Sequence, residues 1–174
     1  MEKIIASGLC GENTNYILDS NGIFTLKGMG TTADFMHYDG SYGNFEFYDG
    51  IKKVIIEEGI TKIGSCFFCK LHNLESIEFP ITLKEIGQYA FIDCISLKHI
   101  LLKKVENIRE GAFQNCLALE SIDFGDEINI IERNAFSGCK KIKTENVIFP
   151  DIPIINIHHL AFQNTSFDME NIVN

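Results

Sequence analysis

Six cysteines and five histidines are the side chains of this 174-residue chain best able to hold a metal or exchange electrons. Cys66-x-x-Cys69 has the spacing of a redox dithiol or of half a zinc site. A structural zinc site needs two more Cys or His ligands. There is no second Cys-x-x-Cys, and of the histidines only His158 and His159 are adjacent. Asp19-x-Asn21-Gly22 begins like a calcium loop but lacks the onward ligands that such a loop requires. There is no Gly-x-Ser-x-Gly, no His-Glu-x-x-His and no Gly-rich phosphate loop; Gly28-Met29-Gly30 lacks the helix and acidic partner of a dinucleotide fingerprint. The sequence therefore assigns no catalytic residue, no metal ligand and no cofactor, and predicts a chain that is not an enzyme.

The elements that position these residues explain the cysteines. Ala90-Phe91, Ala112-Phe113 and Ala135-Phe136 recur, with Phe68 as a weaker first copy, at strides of 23, 22 and 23 residues. The fuller unit reads Ile86-Gly87-x-x-Ala90-Phe91-x-x-Cys94-x-x-Leu97-x-x-Ile100. It returns as Ile108-x-x-x-Ala112-Phe113-x-x-Cys116-x-x-Leu119-x-x-Ile122. Self-similarity at this period signals a leucine-rich-repeat solenoid. The expected fold is mainly β with short helical turns, its parallel strands stacked at about 23 residues per coil. Ile, Ala, Phe, Cys and Leu then point inward, each on its counterpart in the next coil. Cys94, Cys116 and Cys139 form one column of buried free thiols. Their strand-like spacing of roughly 4.7–4.9 Å does not suit a disulfide. Cys66 and Cys69 fall on variable positions between the core anchors.

Residues 1–50 lack the repeat and are read as an N-terminal cap. Tyr16-Ile17-Leu18 and Ile23-Phe24-Thr25-Leu26 flank Asp19-Ser20-Asn21-Gly22, where Asn-Gly is expected to supply the positive φ angles of a hairpin turn. Phe35, Tyr38, Tyr42, Phe45, Phe47 and Tyr48 follow, and are expected to cover the first coil. Residues 51–174 are read as the solenoid of about five coils, led by Ile63, Ile86, Ile108, Ile131 and Ile157, the last one irregular. The extra residues of that coil fall around 143–153, where Val147-x-Phe149-Pro150 echoes Ile77-x-Phe79-Pro80. The last rung is either partly uncovered or sealed by Phe167, Met169 and Ile172; a bare end would favour a homo-oligomer through that coil.

With Ile-Gly-x-x-Ala-Phe-x-x-Cys-x-x-Leu-x-x-Ile visible, the chain resembles the BspA-type leucine-rich repeats. The opening is similar too, from Ser7-Gly8-x-Cys10-Gly11 to Ile51-Lys52-x-Val54-x-Ile56-x-x-Gly59-Ile60-x-x-Ile63-Gly64. The departures are Phe67 for Ala, Leu71 for Cys, and Arg109 and Glu132 for Gly. The resemblance implies a protein-binding surface adhesin that engages host or matrix proteins. It also implies a cell-surface or extracellular location. Met1-Glu2-Lys3-Ile4-Ile5-Ala6-Ser7 lacks the apolar run of a signal peptide, so a cytoplasmic interaction scaffold is the alternative.

A partner would be read on the outward positions of each strand. One column runs Lys52, Glu75, Lys98, Glu120, Lys143 and is expected to be a cross-strand charge ladder. A second runs Lys53, Ser76, His99, Ser121, Thr144, and a third Ile55, Glu78, Leu101, Asp123. Glu75, Glu78, Lys98, His99, Leu101, Glu120 and Asp123 are thus the candidate binding face, for a protein or peptide ligand; the alternative is an ordinary solvated sheet face. Fifteen Lys+Arg against 24 Asp+Glu leave a net charge of -9. Such a surface is either simply solvated or attractive to cationic partners or Ca²⁺. No basic run exceeds a pair, which argues against nucleic acid, and no apolar stretch approaches the roughly 20 residues of a membrane span.

Overall fold

A computed structural model describes residues 3–35, 48–151 and 156–169. The chain opens with three antiparallel strands, β1 (Ile4–Leu9), β2 (Thr14–Asp19) and β3 (Ile23–Gly28). The β2–β3 hairpin is the expected one, in register at Leu18↔Phe24. Its turn differs in detail: Gly22 alone takes a positive φ, +81°, while Asp19 Oδ1 accepts the N–H groups of Asn21 and Ile23 at 2.9 and 3.0 Å. The Asp side chain holds the turn, so a left-handed Asn is not needed. Strand β1, which sequence reading did not anticipate, pairs with the outer edge of β2.

Beyond the hairpin the chain coils. Strand β3 pairs in parallel with β5 (Lys53–Ile56), and β4 (Gly30–Thr31) with β6 (Ile60–Ile63). Each later coil repeats the two strands: β7 (Ser76–Glu78) with β8 (Glu85–Ile86), β9 (His99–Leu101) with β10 (Asn107–Ile108), and β11 (Ser121–Asp123) with β12 (Ile130–Ile131). The last described coil holds β13 (Val147–Ile148) and β14 (Asn156–Ile157). The even-numbered strands from β4 to β14 form one continuous six-stranded ladder. The odd-numbered ones, with β2 inserted between β1 and β3, form two pieces, β1-β2-β3-β5-β7 and β9-β11-β13.

The alternation of each strand puts one row inward: Val54, Ile77, Ile100 and Ile122 on one wall, Ile63, Ile86, Ile108 and Ile131 on the other, all buried. Between the walls the phenyl rings of Phe68, Phe91, Phe113, Phe136 and Phe162 stack face to face, with centroids 5.1–5.3 Å apart. Such pairs contribute about 0.5–1.5 kcal/mol each beyond the area they bury. The turn carrying each ring is held by coil-to-coil hydrogen bonds. Phe68, Phe91, Phe113 and Phe136 donate their N–H to the carbonyls of Ala90, Ala112, Ala135 and Ala161 at 2.7–2.8 Å. Two residues before and two after the ring, the backbone is left-handed in every complete coil: Cys66, Tyr89, Gly111 and Asn134 on one side, Lys70, Asp93, Asn115 and Gly138 on the other.

The ends are covered by rings. Phe35 stacks on Phe67 at 5.1 Å and Tyr16 on Phe24 at 5.0 Å at the amino end. Tyr38, Tyr42, Phe45 and Phe47 lie outside the described residues. At the other end Phe167 packs on Phe162 at 4.4 Å, and Met169 is partly buried against the core. Of the two readings of the last rung, the sealed one therefore holds for Phe167 and Met169; Ile172 lies outside the described residues. The extra residues of that coil are taken up by a 3-10 turn at Thr144–Asn146, after which Val147 rejoins the register opposite Ile122. Phe149 stacks on Phe124 at 4.8 Å, as the echo of Phe79 implied.

Candidate protein-binding face

Outward positions of the odd-numbered strands line up as the repeat requires. Ser76 faces Lys53, Ser121 faces His99, and Asp123 sits between Leu101 and Ile148. The fifth members of two columns differ from expectation. Register places Asn146, not Thr144, beside Ser121, and Glu145, not Lys143, beside Glu120, because the 3-10 turn shifts the last strand by two residues. Glu75, Glu78, Lys98, His99 and Leu101 are exposed; Glu120 and Asp123 are half-buried.

Among the described residues, the expected ladder of Lys52, Glu75, Lys98 and Glu120 does not form. Glu78 pairs with Lys53, and Glu120 with Lys141 at 2.9 Å, a contact that holds the Glu120 carboxyl below the usual glutamate range. His99 Nδ1 and Ser121 Oγ share a hydrogen bond of 2.8 Å. Asp123 Oδ1 accepts the Gly125 N–H at 2.9 Å; among the described residues this carboxylate has no ion pair.

A groove of about 390 Å³ runs across this face, lined by Ile77, His99, Leu101, Ser121, Asp123 and Ile148 among others. It spans the bonded strands β9, β11 and β13 and at one end borders β7. Among the described residues, no backbone hydrogen bond joins β7 to β9. The Leu102 N–H donates to Asp123 on β11, so by strand alternation the amides of His99 and Leu101 point toward β7. Across the bonded β11–β13 pair, Phe124 stacks on Phe149. Leu101 and Ile148 are 48% and 59% exposed, which makes the groove's rim apolar.

The even-numbered face is built otherwise. Arg109 spans Glu85 and Glu132, Lys62 reaches Glu85 at 2.8 Å, Lys84 reaches Glu106 at 2.8 Å and Glu127 at 3.4 Å, and Lys104 holds Asp126 at 2.9 Å and Glu127 at 3.2 Å. Burial pushes the Glu85 carboxyl up, but hydrogen bonds from Arg109 and Lys62 outweigh it and the net displacement is downward. Hydrogen bonds to Glu85 and Glu132 raise Arg109, and one to Glu106 raises Lys84. Arg109 and Glu132, which the sequence marked only as departures from Gly, are members of this ladder.

The chain matches the BspA type leucine rich repeat region, in six copies, over residues 41–171. It belongs to that family. In structure, this BspA-type chain is similar to a leucine-rich repeat protein from Eubacterium ventriosum, with a TM-score of 0.66 and 20% identity, over 95% of this chain and 45% of that one. It is also similar to a leucine rich cell surface protein from Faecalibacterium prausnitzii, with a TM-score of 0.63 and 25% identity, over 93% and 47% respectively. The chain thus spans about half the length of these solved structures. Among curated proteins, none matches. The repeat fold is that of a protein-interaction module, since stacking coils creates extended surfaces.

The thiols of this BspA-type chain serve the stack. Cys94, Cys116 and Cys139 each donate from Sγ to the Phe carbonyl of the coil before, at 3.2, 3.3 and 3.1 Å. They are therefore hydrogen-bond donors as well as small apolar fillers. Burial raises the Cys94 and Cys116 thiols. In Cys66-x-x-Cys69 both residues are buried, and a hydrogen bond between the two thiols, together with burial, pushes Cys66 far up. A redox dithiol needs the opposite, a low-pKa accessible thiolate. Among the described residues, no group of three His, Cys, Asp or Glu could hold a metal ion, and no helix is long and apolar enough to cross a membrane.

Proposed function

We propose that this chain is a non-enzymatic protein-binding module whose partner lies along the odd-numbered strands, over the groove bordered by Leu101, Asp123 and Ile148. The observation that carries this reading is the contrast in saturation between the two outer faces. On the even-numbered side Arg109, Lys62, Lys84 and Lys104 are matched to carboxylates, while Glu110 and Arg133 form no ion pair among the described residues. The odd-numbered face keeps exposed aliphatic side chains, an unmatched carboxylate and a strand pair without its ladder bonds. Exposed apolar groups rimmed by polar ones mark interaction sites, and unpaired strand groups add backbone donors and acceptors for an extended segment.

A surface adhesin that engages host or matrix proteins is the form of this function favoured by likeness to a cell surface protein of similar fold. An intracellular scaffold is the second reading, and six buried free cysteines favour it, since thiols stay reduced in the cytosol. Antibody labelling of intact cells producing the native full-length protein separates the two. The binding face is tested by pull-down with wild type, Leu101→Asp and Lys104→Glu. Loss of the captured protein in Leu101→Asp with retention in Lys104→Glu supports the reading; the reverse pattern, or retention in both, rejects it. Light scattering of the wild type addresses a second copy of the chain as the partner, a sealed C-terminal coil predicting a monomer.

A further inference from the structure

We infer that the groove recognises a cationic side chain, Arg or Lys, on an extended segment of the partner, with Asp123 as its counter-charge and Leu101 and Ile148 as the walls for its aliphatic stem. This rests on the binding face proposed above and specifies its ligand. Leu101, Asp123 and Ile148 occupy the same outward position on β9, β11 and β13 and are directly paired in register. Neighbouring strands lie roughly 4.7–4.9 Å apart, so the carboxylate is flanked at side-chain distance by two aliphatic groups. Long basic side chains bury their methylene stems on apolar surface while the charged head finds a partner.

The carboxylate is also available. Glu78, Glu85, Glu106, Glu120, Asp126, Glu127 and Glu132 each hold a lysine or arginine. Asp123 is half-buried, and one of its oxygens accepts the Gly125 N–H; among the described residues no cation reaches it. Glu120 and Lys141 satisfy each other beside it. Ser76, Ser121 and Asn146 line the groove with further hydrogen-bonding groups for a guanidinium or a peptide backbone. The net charge of -9 draws a basic segment toward the molecule in general. The socket gives that attraction one address.

The test is a residue-resolved NMR titration of the chain with n-butylguanidinium and with n-butylurea, its neutral counterpart of similar shape. Saturable shifts at Leu101, Asp123 and Ile148 are expected with the cation, at least fivefold weaker with the urea, and weakened as much in Asp123→Asn. That variant keeps an oxygen for the Gly125 N–H, and its unchanged melting temperature verifies the fold. Equal response to the two probes, an unchanged response in Asp123→Asn, or shifts confined to other residues overturns the socket. Twelve-residue peptides selected from a random display library on the wild type then distinguish the two claims. Enrichment in Arg or Lys, with binding lost in both Leu101→Asp and Asp123→Asn, supports the socket. Binding lost only in Leu101→Asp overturns it and keeps the face. Binding kept in both variants overturns the face itself.

Discussion

Two walls of one coil share the same core and yet end in different surfaces. On the even-numbered side, six short strands stay hydrogen-bonded from β4 to β14, and Lys62, Lys84, Lys104 and Arg109 tie the coils from β6 to β12 together through carboxylates. On the odd-numbered side, β7 and β9 part, and Leu101 and Ile148 stand exposed around Asp123. The inward rows are buried on both walls, with Ile77 and Ile100 beside the gap at 9% and 3% exposure and Ile63, Ile86, Ile108 and Ile131 at 0%. The difference in surface charge comes from the outward residues, which the repeat leaves free to vary. A solenoid can thus devote one wall to cohesion between coils and leave the other for contact.

The largest effect is expected where the walls meet. Phe113→Ala removes a ring stacked at 5.1 and 5.3 Å on its neighbours, and should cost roughly 3–5 kcal/mol, seen as a lowered urea midpoint. It weakens both faces together. A loss confined to one face would break the idea of a shared core.

A smaller effect should mark the cohesive wall. Arg109→Met breaks two ion pairs whose partners, Glu85 and Glu132, are themselves partly buried. At about 0.2–1 kcal/mol for each screened pair, the variant should lose about 1 kcal/mol in urea unfolding at neutral pH. Acid sharpens the assignment. The Glu85 carboxyl is displaced downward in the folded chain. Its contribution is therefore complete above the ordinary glutamate pKa and is lost as pH falls through the lower folded value. The gap between wild type and Arg109→Met should narrow on acidification; a gap that stays constant would mean the pairs are not its source.

The smallest effect belongs to the open wall. Leu101→Ser and Asp123→Asn should leave stability within about 0.5 kcal/mol of wild type, as surface changes do, while abolishing partner capture. A loss of stability comparable to that of Arg109→Met would show that this wall, too, is structural.

Much of this was legible in the sequence. The stride of Ala-Phe located the ring stack, the position of Cys94, Cys116 and Cys139 marked an inward column, and Leu101 and Asp123 fell correctly on an outward face. Periodicity reports burial, and burial is what the repeat enforces. The left-handed turn positions were partly written, in Gly111, Asn134, Asp93, Asn115 and Gly138, but Cys66, Tyr89 and Lys70 take the same conformation without that signature. The charge ladder was placed on the wrong wall because alternating signs in one column do not reveal reach. Lys84 spans to Glu127, 43 residues on, while Lys98 and Glu120, a single coil apart, form no ion pair with each other, Glu120 pairing with Lys141 instead. Strand β1 and the parting of β7 from β9 have no periodic marker, since both depend on how backbone edges meet.

Amide hydrogen exchange, read residue by residue by NMR, tests the contrast between the walls within a single coil. The N–H groups of Asn107 and Arg109 donate to the carbonyls of Lys84 and Ile86, and should exchange slowly. Those of His99 and Leu101, turned toward β7 without a bond, should exchange faster by orders of magnitude. Equal protection of the two pairs would mean that the sheet closes between β7 and β9 in solution, and would contradict the account of an open wall.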